Sequence, residues 1–253
     1  MKDRAIQALY KLALAPVAET LADRNSYSFR EGRSCADAVA AAFNALSKPN
    51  SATWILEGDI KGCFDNISHE WMIENIPMDK IILAKWLKAG YVEDGITYPS
   101  RKGTPQGGII SPTYSNMVLD GLENAVHNAV PRRSRINFVR YADDFIITGK
   151  SKRILEENIK PVVEEFLTER GLELSPEKTV VTYITKRFTF LGQTFRKHGR
   201  RLHITPSIKG VLALKQKVGT LIRKHISAPM PVLTYPMLQK GHSYCEIQRE
   251  HVL

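Results

Sequence analysis

Acidic residues are missing from one long stretch of this chain. Between Lys178 and Cys245 there is no Asp or Glu, against 13 Lys and Arg. Elsewhere 23 basic residues face 26 acidic ones, so the formal charge of +10 on 253 residues belongs to the C-terminal part alone. A long basic tract without acids points to a polyanion, nucleic acid first; the bland alternative is a dispersed solvated surface. Cysteine is scarce as well. Cys35, Cys63 and Cys245 are too widely spaced for a disulfide framework or a zinc knuckle, which makes a reducing cytoplasm the expected location. No run reaches the roughly 18 apolar residues of a membrane span. The opening "MKDRAIQALYKLALAP" is charged and then amphipathic, without the apolar core and cleavage site of a signal peptide. Repeats and low-complexity segments are absent. A hydrophobic fraction of 43% suits a globular protein of one large domain or two smaller ones.

The patterning alternates single strands with helices. Apolar residues at Ile6, Leu9, Leu12, Leu14, Val17 and Leu21 predict a helix over residues 3–24 with a kink at Pro16. A second helix starts near Ser34, and "ATWILEGDI" reads as a buried strand. Helices follow from about Ser68 and over 79–88, then strand and loop in "GITYPSRKGTPQGG", then one long helix through "IISPTYSNMVLDGLENAVHNAV". "RINFVRYADDFIITG" predicts a β-hairpin, 151–170 a helix, 179–184 and 187–195 strands, and the chain turns helical again from Pro206. This order predicts an α+β fold, a sheet covered by helices on one side.

Two acidic clusters sit in apolar strands. Asp59 ends "WILEGDI", with Asp65 after a short turn; Asp143 and Asp144 stand at the tip of the hairpin. A lone strand-end aspartate is ordinarily a cap or a turn residue. Adjacent carboxylates in a buried hairpin repel, and burying either without a partner costs several kcal/mol or protonates it. If the two strands are neighbours, Asp59, Asp143 and Asp144 converge. Three hard oxygen donors suit Mg²⁺, with Mn²⁺ as the alternative ion. Two such ions about 3.5–4 Å apart stabilise the attacking and leaving oxygens of phosphoryl transfer.

"YADD" at the hairpin resembles the signature of reverse transcriptases. "EGDIKGCFDNI", "GTPQGGIISP", "GLELSPEKT" and "FTFLGQTF" occur in the order of that family's palm blocks. "SYSFREGRSCADA" and the isoleucines of "QGGIISP" are most similar to the enzymes encoded by bacterial group II introns. The resemblance implies a right-hand polymerase: partial fingers over 1–52, a palm with an antiparallel sheet over 53–200, and the start of a helical thumb or maturase region over 201–253. It implies an RNA-directed DNA polymerase, adding dNTPs to a DNA or RNA primer on an RNA template such as intron RNA, and assisting intron splicing and mobility. The alternatives are a non-catalytic RNA-binding maturase and another bacterial class, CRISPR-associated or retron-like.

The resemblance also assigns residues. Asp59, Asp143 and Asp144 become catalytic, and with Ile60 they form the metal site. Phe64, Gln106, Gly107 and Tyr141 become substrate-binding: Phe64 beneath the incoming sugar, Gln106 on the nucleotide, and Gly107 with Gly108 leaving room for the template–primer pair. Lys178 stands near the leaving pyrophosphate as general acid or balancing charge, or else is an exposed strand-edge lysine. A core role for Phe64 and a capping role for Asp65 are the plain readings of those residues.

In the tail, Val211, Leu214, Val218, Leu221 and Ile222 share a helical face, while Lys209, Lys217, Arg223 and Lys224 cluster opposite it. Those four are candidate nucleic-acid contacts of a thumb helix. His242, Cys245 and His251 fit no zinc spacing and read as structural. The resemblance begins inside a finger block at "KDRAIQAL", without the basic hairpin such enzymes hold against the triphosphate. The expectation is a fragment of a larger protein that binds RNA better than it polymerises.

Overall fold

The computed structural model describes residues 2–93, 96–98, 100–104 and 107–224. The chain opens with α1 (Lys2–Leu21), which runs through Pro16, and α2 (Cys35–Ser47). A reciprocal cap starts α2: the Ser34 side chain accepts from the Asp37 N–H, and the Asp37 carboxylate accepts from the Ser34 N–H. Then follow β1 (Trp54–Asp59), the one-turn α3 (Cys63–Asn66), α4 (His69–Asn75) and α5 (Lys80–Lys88). A short hairpin of β2 (Tyr91–Glu93) and β3 (Ile96–Tyr98) leads to α6 (Ser111–Leu119) and α7 (Leu122–Asn128). Next come β4 (Asn137–Tyr141) and β5 (Asp144–Gly149), a π-helical segment over Ile154–Ile159 running into α8 (Lys160–Thr168), and β6 (Val180–Tyr183). β7 (Phe188–Phe190), β8 (Gln193–His198) and β9 (Arg201–Pro206) precede the last described helix, α9 (Ile208–Lys224).

Four strands make an antiparallel sheet in the order β4-β5-β1-β6. Because successive strand side chains point to opposite faces, β1 and β5 each feed two cores. Leu56, Phe138, Phe145 and Ile147 join the larger core with α4 to α8. Ile55, Val139, Tyr141 and Ile146 join the second, which α2 and the separate sheet β7-β8-β9 close through Phe188, Phe190 and Phe195. The sheet is therefore covered on both faces, where the sequence pattern suggested one. The apolar run "FII" of β5 has no polar side to turn outwards.

Two further expectations are corrected. The long helix over 109–130 is two helices, broken at Asp120–Gly121, where Gly121 takes φ 96°. The break frees Asp120 to reach Arg140, a fully buried residue on β4, at 2.7 Å. Arg140 also donates to Asn116 Oδ1 at 3.2 Å. Burial pushes the Asp120 carboxyl up to about 6 against the pull of Arg140. The neighbouring Asp23 accepts from the N–H groups of Gly121 and Glu123. The single strand over 187–195 is likewise two strands, turning at Leu191–Gly192, and β9 adds a third. Arg140 also fixes the sheet edge: its backbone exchanges hydrogen bonds with Asn25 and Tyr27, so the "SYSF" loop covers β4.

Candidate active site

β1 and β5 run antiparallel with Asp59 directly opposite Asp144. The β4–β5 connection is a two-residue turn, Ala142–Asp143, closed by the Tyr141–Asp144 pair. Ala142 holds a left-handed φ of 55° while almost wholly buried, a strained conformation for a residue with a Cβ. All three aspartates thus meet at one end of the central sheet. The expected convergence of Asp59, Asp143 and Asp144 is what the register produces.

Their electrostatics are unfavourable without a cation. Asp144 is exposed along one side but crowded by the walls of its cleft. That crowding, then the charges of Asp143 and Asp59, push its carboxyl up to about 7. Asp143 is also raised, by burial first and then by Asp59. Among the described residues Lys178 answers them: its Nζ lies 3.0 Å from each oxygen of Asp59. This contact raises the lysine's own pKa, so the ammonium holds its proton more firmly than an isolated lysine. Lys178 is placed by the "SPEKT" turn, which docks on β1 where the Ser175 N–H donates to the Asp59 carbonyl at 2.8 Å. Ile60 pairs with Leu174 through the flanking bonds Lys61 N–H to Glu173 O and Ser175 N–H to Asp59 O. Successive peptide groups alternate sides, so the Ile60 carbonyl points the other way, towards β5. The Ile60 side chain is core.

Asp59, Asp144 and Lys178 line a cleft of about 200 Å³ with Glu57, Gly58, Thr189, Phe190 and Leu191 among its walls. Among the described residues no group of three or more His, Cys, Asp or Glu side chains is gathered closely enough to hold a metal ion. An open face of hard oxygens fits Mg²⁺, which takes one or two carboxylates and keeps water or substrate phosphate as its other ligands. Sequence reasoning missed Glu57. Its carboxylate accepts from Thr182 Oγ1 at 2.9 Å and from the Thr189 N–H at 3.4 Å, tying β1 to β6 and β7, and burial raises its pKa. The available signal was the two-residue period, which puts Glu57 on the same face as Asp59.

The other candidates are placed less uniformly. Phe64, in α3, is half-buried and meets Phe29 edge-on at 6.3 Å, so it is not a core residue. The loop before the glycines is fixed to it: the Thr104 N–H donates to Phe64 O and the Gly103 N–H to Ile67 O, both at 2.7 Å. Gly107 has open space around its Cα, whereas Gln106 lies outside the described residues. Tyr141 is packed in the second core, 7% exposed. Asp65 is exposed in α3. Lys209, Lys217, Arg223 and Lys224 are exposed on α9, with Val211, Leu214, Val218 and Leu221 half-covered and Ile222 exposed. His242, Cys245 and His251 lie outside the described residues.

Residues 1–195 match the family model described as reverse transcriptase (RNA-dependent DNA polymerase). The chain belongs to the reverse transcriptase family. It is 30% identical over 77% of its length to the group II intron-encoded protein LtrA of Lactococcus lactis subsp. cremoris, of which the match covers 43%. It is 26% identical over 79% of its length to protein YkfC of Escherichia coli, covering 62% of that protein. This reverse transcriptase chain therefore spans less than half of the intron-encoded relative. Among solved structures it is similar to apo telomerase from Candida tropicalis, with a TM-score of 0.58 at 12% identity over 79% of this chain and 40% of that one. The same organism's telomerase in complex with a telomeric RNA fragment gives 0.54 at 17% identity over 98% and 47%. At those identities the likeness is one of fold, and the fold is the right-hand polymerase. No described helix is long and apolar enough to cross a membrane.

Proposed function

We infer that this chain carries the polymerase site of an intron-encoded reverse transcriptase, with fingers over 1–52, palm over 53–200 and the start of the thumb over 201–253. The observation that carries the reading is the register pairing Asp59 with Asp144, with Asp143 in the intervening turn and Lys178 on Asp59. The reaction is attack of a primer 3′-oxygen on the α-phosphorus of a dNTP. The new P–O bond forms as the bond to the β-phosphate breaks, pyrophosphate leaves and the hydroxyl proton passes to solvent. Asp59, Asp143, Asp144 and the Ile60 carbonyl would hold two Mg²⁺ or Mn²⁺ ions. When bound, the ions supply charge neutralisation to the attacking and leaving oxygens.

The chain's own groups do the rest. The sheet register fixes Asp59 and Asp144 without loop freedom, which holds the reacting atoms in line. Lys178, which neighbours Asp59, would supply a positive charge to the leaving phosphates; its raised pKa favours charge balance over proton donation. Phe64, half-exposed and with its carbonyl accepting from the Thr104 N–H, presses on the sugar and selects deoxynucleotides in this reading. Tyr141 supports the turn from below, and Gln106 and Gly107 complete the nucleotide side. RNA template, primer and dNTP are the partners this reading implies, with intron RNA as the template indicated by the relative.

The test is RNA-templated primer extension by the protein that contains this chain, comparing wild type with Asp143→Asn. Losing several kcal/mol of transition-state stabilisation lowers the rate on the order of 10³-fold, while RNA affinity stays within twofold. Extension by the variant at the wild-type rate would refute the carboxylate assignment. RNA binding without extension even in the wild type would leave a non-catalytic maturase in its place.

A further inference from the structure

The one-turn helix α3, which carries Phe64, is too short to hold its own shape. Four residues make too few backbone bonds to offset the cost of fixing a first turn. The helix is entered through Gly62 at φ 52°, with no side-chain cap. Its shape is held from outside, by the segment that leads to Gln106 and Gly107. The N–H groups of Gly103 and Thr104 donate to Ile67 O and Phe64 O, both at 2.7 Å. Lys102 Nζ donates to Asn66 Oδ1 at 2.6 Å, and Asn66 Nδ2 in turn closes on the Lys61 and Gly62 carbonyls. The fit leaves no room for a side chain at 103. Gly103 takes φ 79°, and a Cβ there would stand 2.5 Å from Phe64 O and 2.6 Å from the Asp65 carbonyl carbon.

Gly103 is buried, so its own carbonyl needs a donor. That donor is His69, the first residue of α4, whose Nε2 lies 2.7 Å from Gly103 O. The histidine is itself anchored. Next to it the Ser68 N–H donates to the Arg170 carbonyl at 2.9 Å, and Ser68 Oγ accepts from the Trp71 N–H. A carbonyl only accepts, so Nε2 carries the hydrogen whether the ring is neutral or charged, and the contact does not open with pH. On its other side the Phe64 ring is limited by Phe29, which meets it edge-on at 6.3 Å and sits at a left-handed φ of 56°. The place of the Phe64 ring is therefore decided by where the backbone of α3 is held, and His69 stands behind that hold. His69 is buried and does not itself reach a bound nucleotide.

We propose that His69 is a positioning residue for sugar selection: it latches the Gly103–Thr104 segment onto α3 and so sets where the Phe64 ring stands. The inference rests on the polymerase reading above, in which Phe64 meets the sugar of the incoming nucleotide. A wall that tells a hydroxyl from a hydrogen has to be placed to within about 1 Å, a misplacement that can cost about 10²-fold when it reaches reacting groups. In the same reading the latched segment continues to Gln106 and Gly107, so one imidazole aligns two walls of the nucleotide site.

The test is RNA-templated extension by the protein that contains this chain, with dNTPs and rNTPs measured separately. The readout is the ratio of kcat/KM for the two sugars, which does not depend on the fraction of enzyme that is folded. His69→Leu lowers this discrimination on the order of tenfold, short of the ceiling set by a full 1 Å misplacement, while RNA affinity stays within about twofold. His69→Gln, whose amide nitrogen reaches the place of Nε2, restores the wild-type ratio. Gly103→Ala pushes the segment off α3 from the other side and lowers the ratio similarly. Adding His69→Leu to it changes little more, because both break one contact. Without any substrate, the Gly103 and Thr104 amides exchange hydrogen faster in His69→Leu than in wild type. Unchanged discrimination in His69→Leu overturns the proposal, as does a loss that Gln does not repair, or unchanged amide exchange. A wild type that extends no primer refutes the polymerase reading and the sugar role with it; the exchange difference, which needs no activity, keeps that failure distinct. Should His69→Leu fail to fold, His69→Asn takes its place, because its amide ends where Nδ1 stands, short of Gly103 O. Discrimination then falls with Asn and holds with Gln, and equal ratios for the two overturn the proposal.

Discussion

The two main sheets are built from similar strands and put to opposite uses. In the central sheet β5 is apolar on both faces behind its first residue, and the charges are few and fixed: Asp59 opposite Asp144 at one end, Arg140 buried in β4, and Glu57 bonded across to β6 and β7. In β7-β8-β9 the inner face is mostly apolar, with Lys197 buried in it and donating to the Leu46 and Lys48 carbonyls, and the outer face runs from threonines at one end to Arg196, His198, Arg201 and His203 at the other. The first arrangement gives positional accuracy at a point, because every residue behind the aspartates is locked by packing on two sides. The second gives a field over an area, with side chains that solvent can reach.

The sharpest way to break this contrast is to disturb a charge inside each sheet. Arg140→Leu in β4 leaves Asp120 buried without its partner, and the expected cost is about 3–5 kcal/mol in a urea titration. Arg196→Gln on the outer face changes the same titration by about 0.5 kcal/mol or less. Comparable losses from the two would mean that the outer face is not a solvent-facing surface. Adding Asp120→Leu to Arg140→Leu recovers much of the first loss, since no unpaired charge then remains.

A smaller effect comes from volume. A Cβ on Gly58 would fall 2.2 Å from the ring of Phe145, which is itself 1% exposed and cannot swing away. Gly58→Ala therefore costs about 1–3 kcal/mol, and by shifting Asp59 it lowers primer extension more than RNA affinity. Thr194→Ala in the outer sheet leaves stability within about 0.5 kcal/mol. Equal extension rates for wild type and Gly58→Ala would show that the carboxylates tolerate slack.

The smallest expected effect is on pH dependence. Asp120, up at about 6, and Asp144, up at about 7, are both raised from 3.8. The folded chain binds more protons than the unfolded chain between those limits, so stability falls as pH rises from about 4 to about 7. In metal-free buffer the urea midpoint should be lower at pH 7.5 than at pH 5. Asp144→Asn should flatten that fall. A midpoint that rises over this range would contradict the crowding of the carboxylates.

The carboxylate site was legible because its signal is local: polar residues interrupting apolar strands at Asp59 and Asp143–Asp144. Lys178 was legible only through the block containing it, since nothing in "PEKT" states that its turn docks on the backbone of Asp59. Arg140 was hidden. It lies in a strand otherwise read as apolar, and its partner Asp120 is far away in sequence, at a helix break that periodicity passes over. The second layer over the sheet was missed for a related reason: apolarity on both faces of β5 says that something covers each face, but not what. The two-residue period places Glu57 on the face of Asp59, but its bonds run to β6 and β7, and pairing between distant strands leaves no mark in the local pattern.

The opposed aspartates have one more consequence, for the assembly of the sheet rather than its chemistry. Strand register is ordinarily set by a buried face and a wet face, since slipping by one residue exchanges them. β5 lacks that safeguard, because Ile146 and its neighbours Phe145 and Ile147 are all apolar and all buried. A one-residue slip would replace hydrophobe with hydrophobe over most of its length. What it could not tolerate is Asp144 carried round to the side of the larger core, away from solvent and from Lys178. The two-residue turn at Ala142–Asp143 leaves no spare length to absorb such a slip. The charged end of the hairpin thus works as an alignment pin, and a chain folded in the wrong register would bury a carboxylate it cannot neutralise.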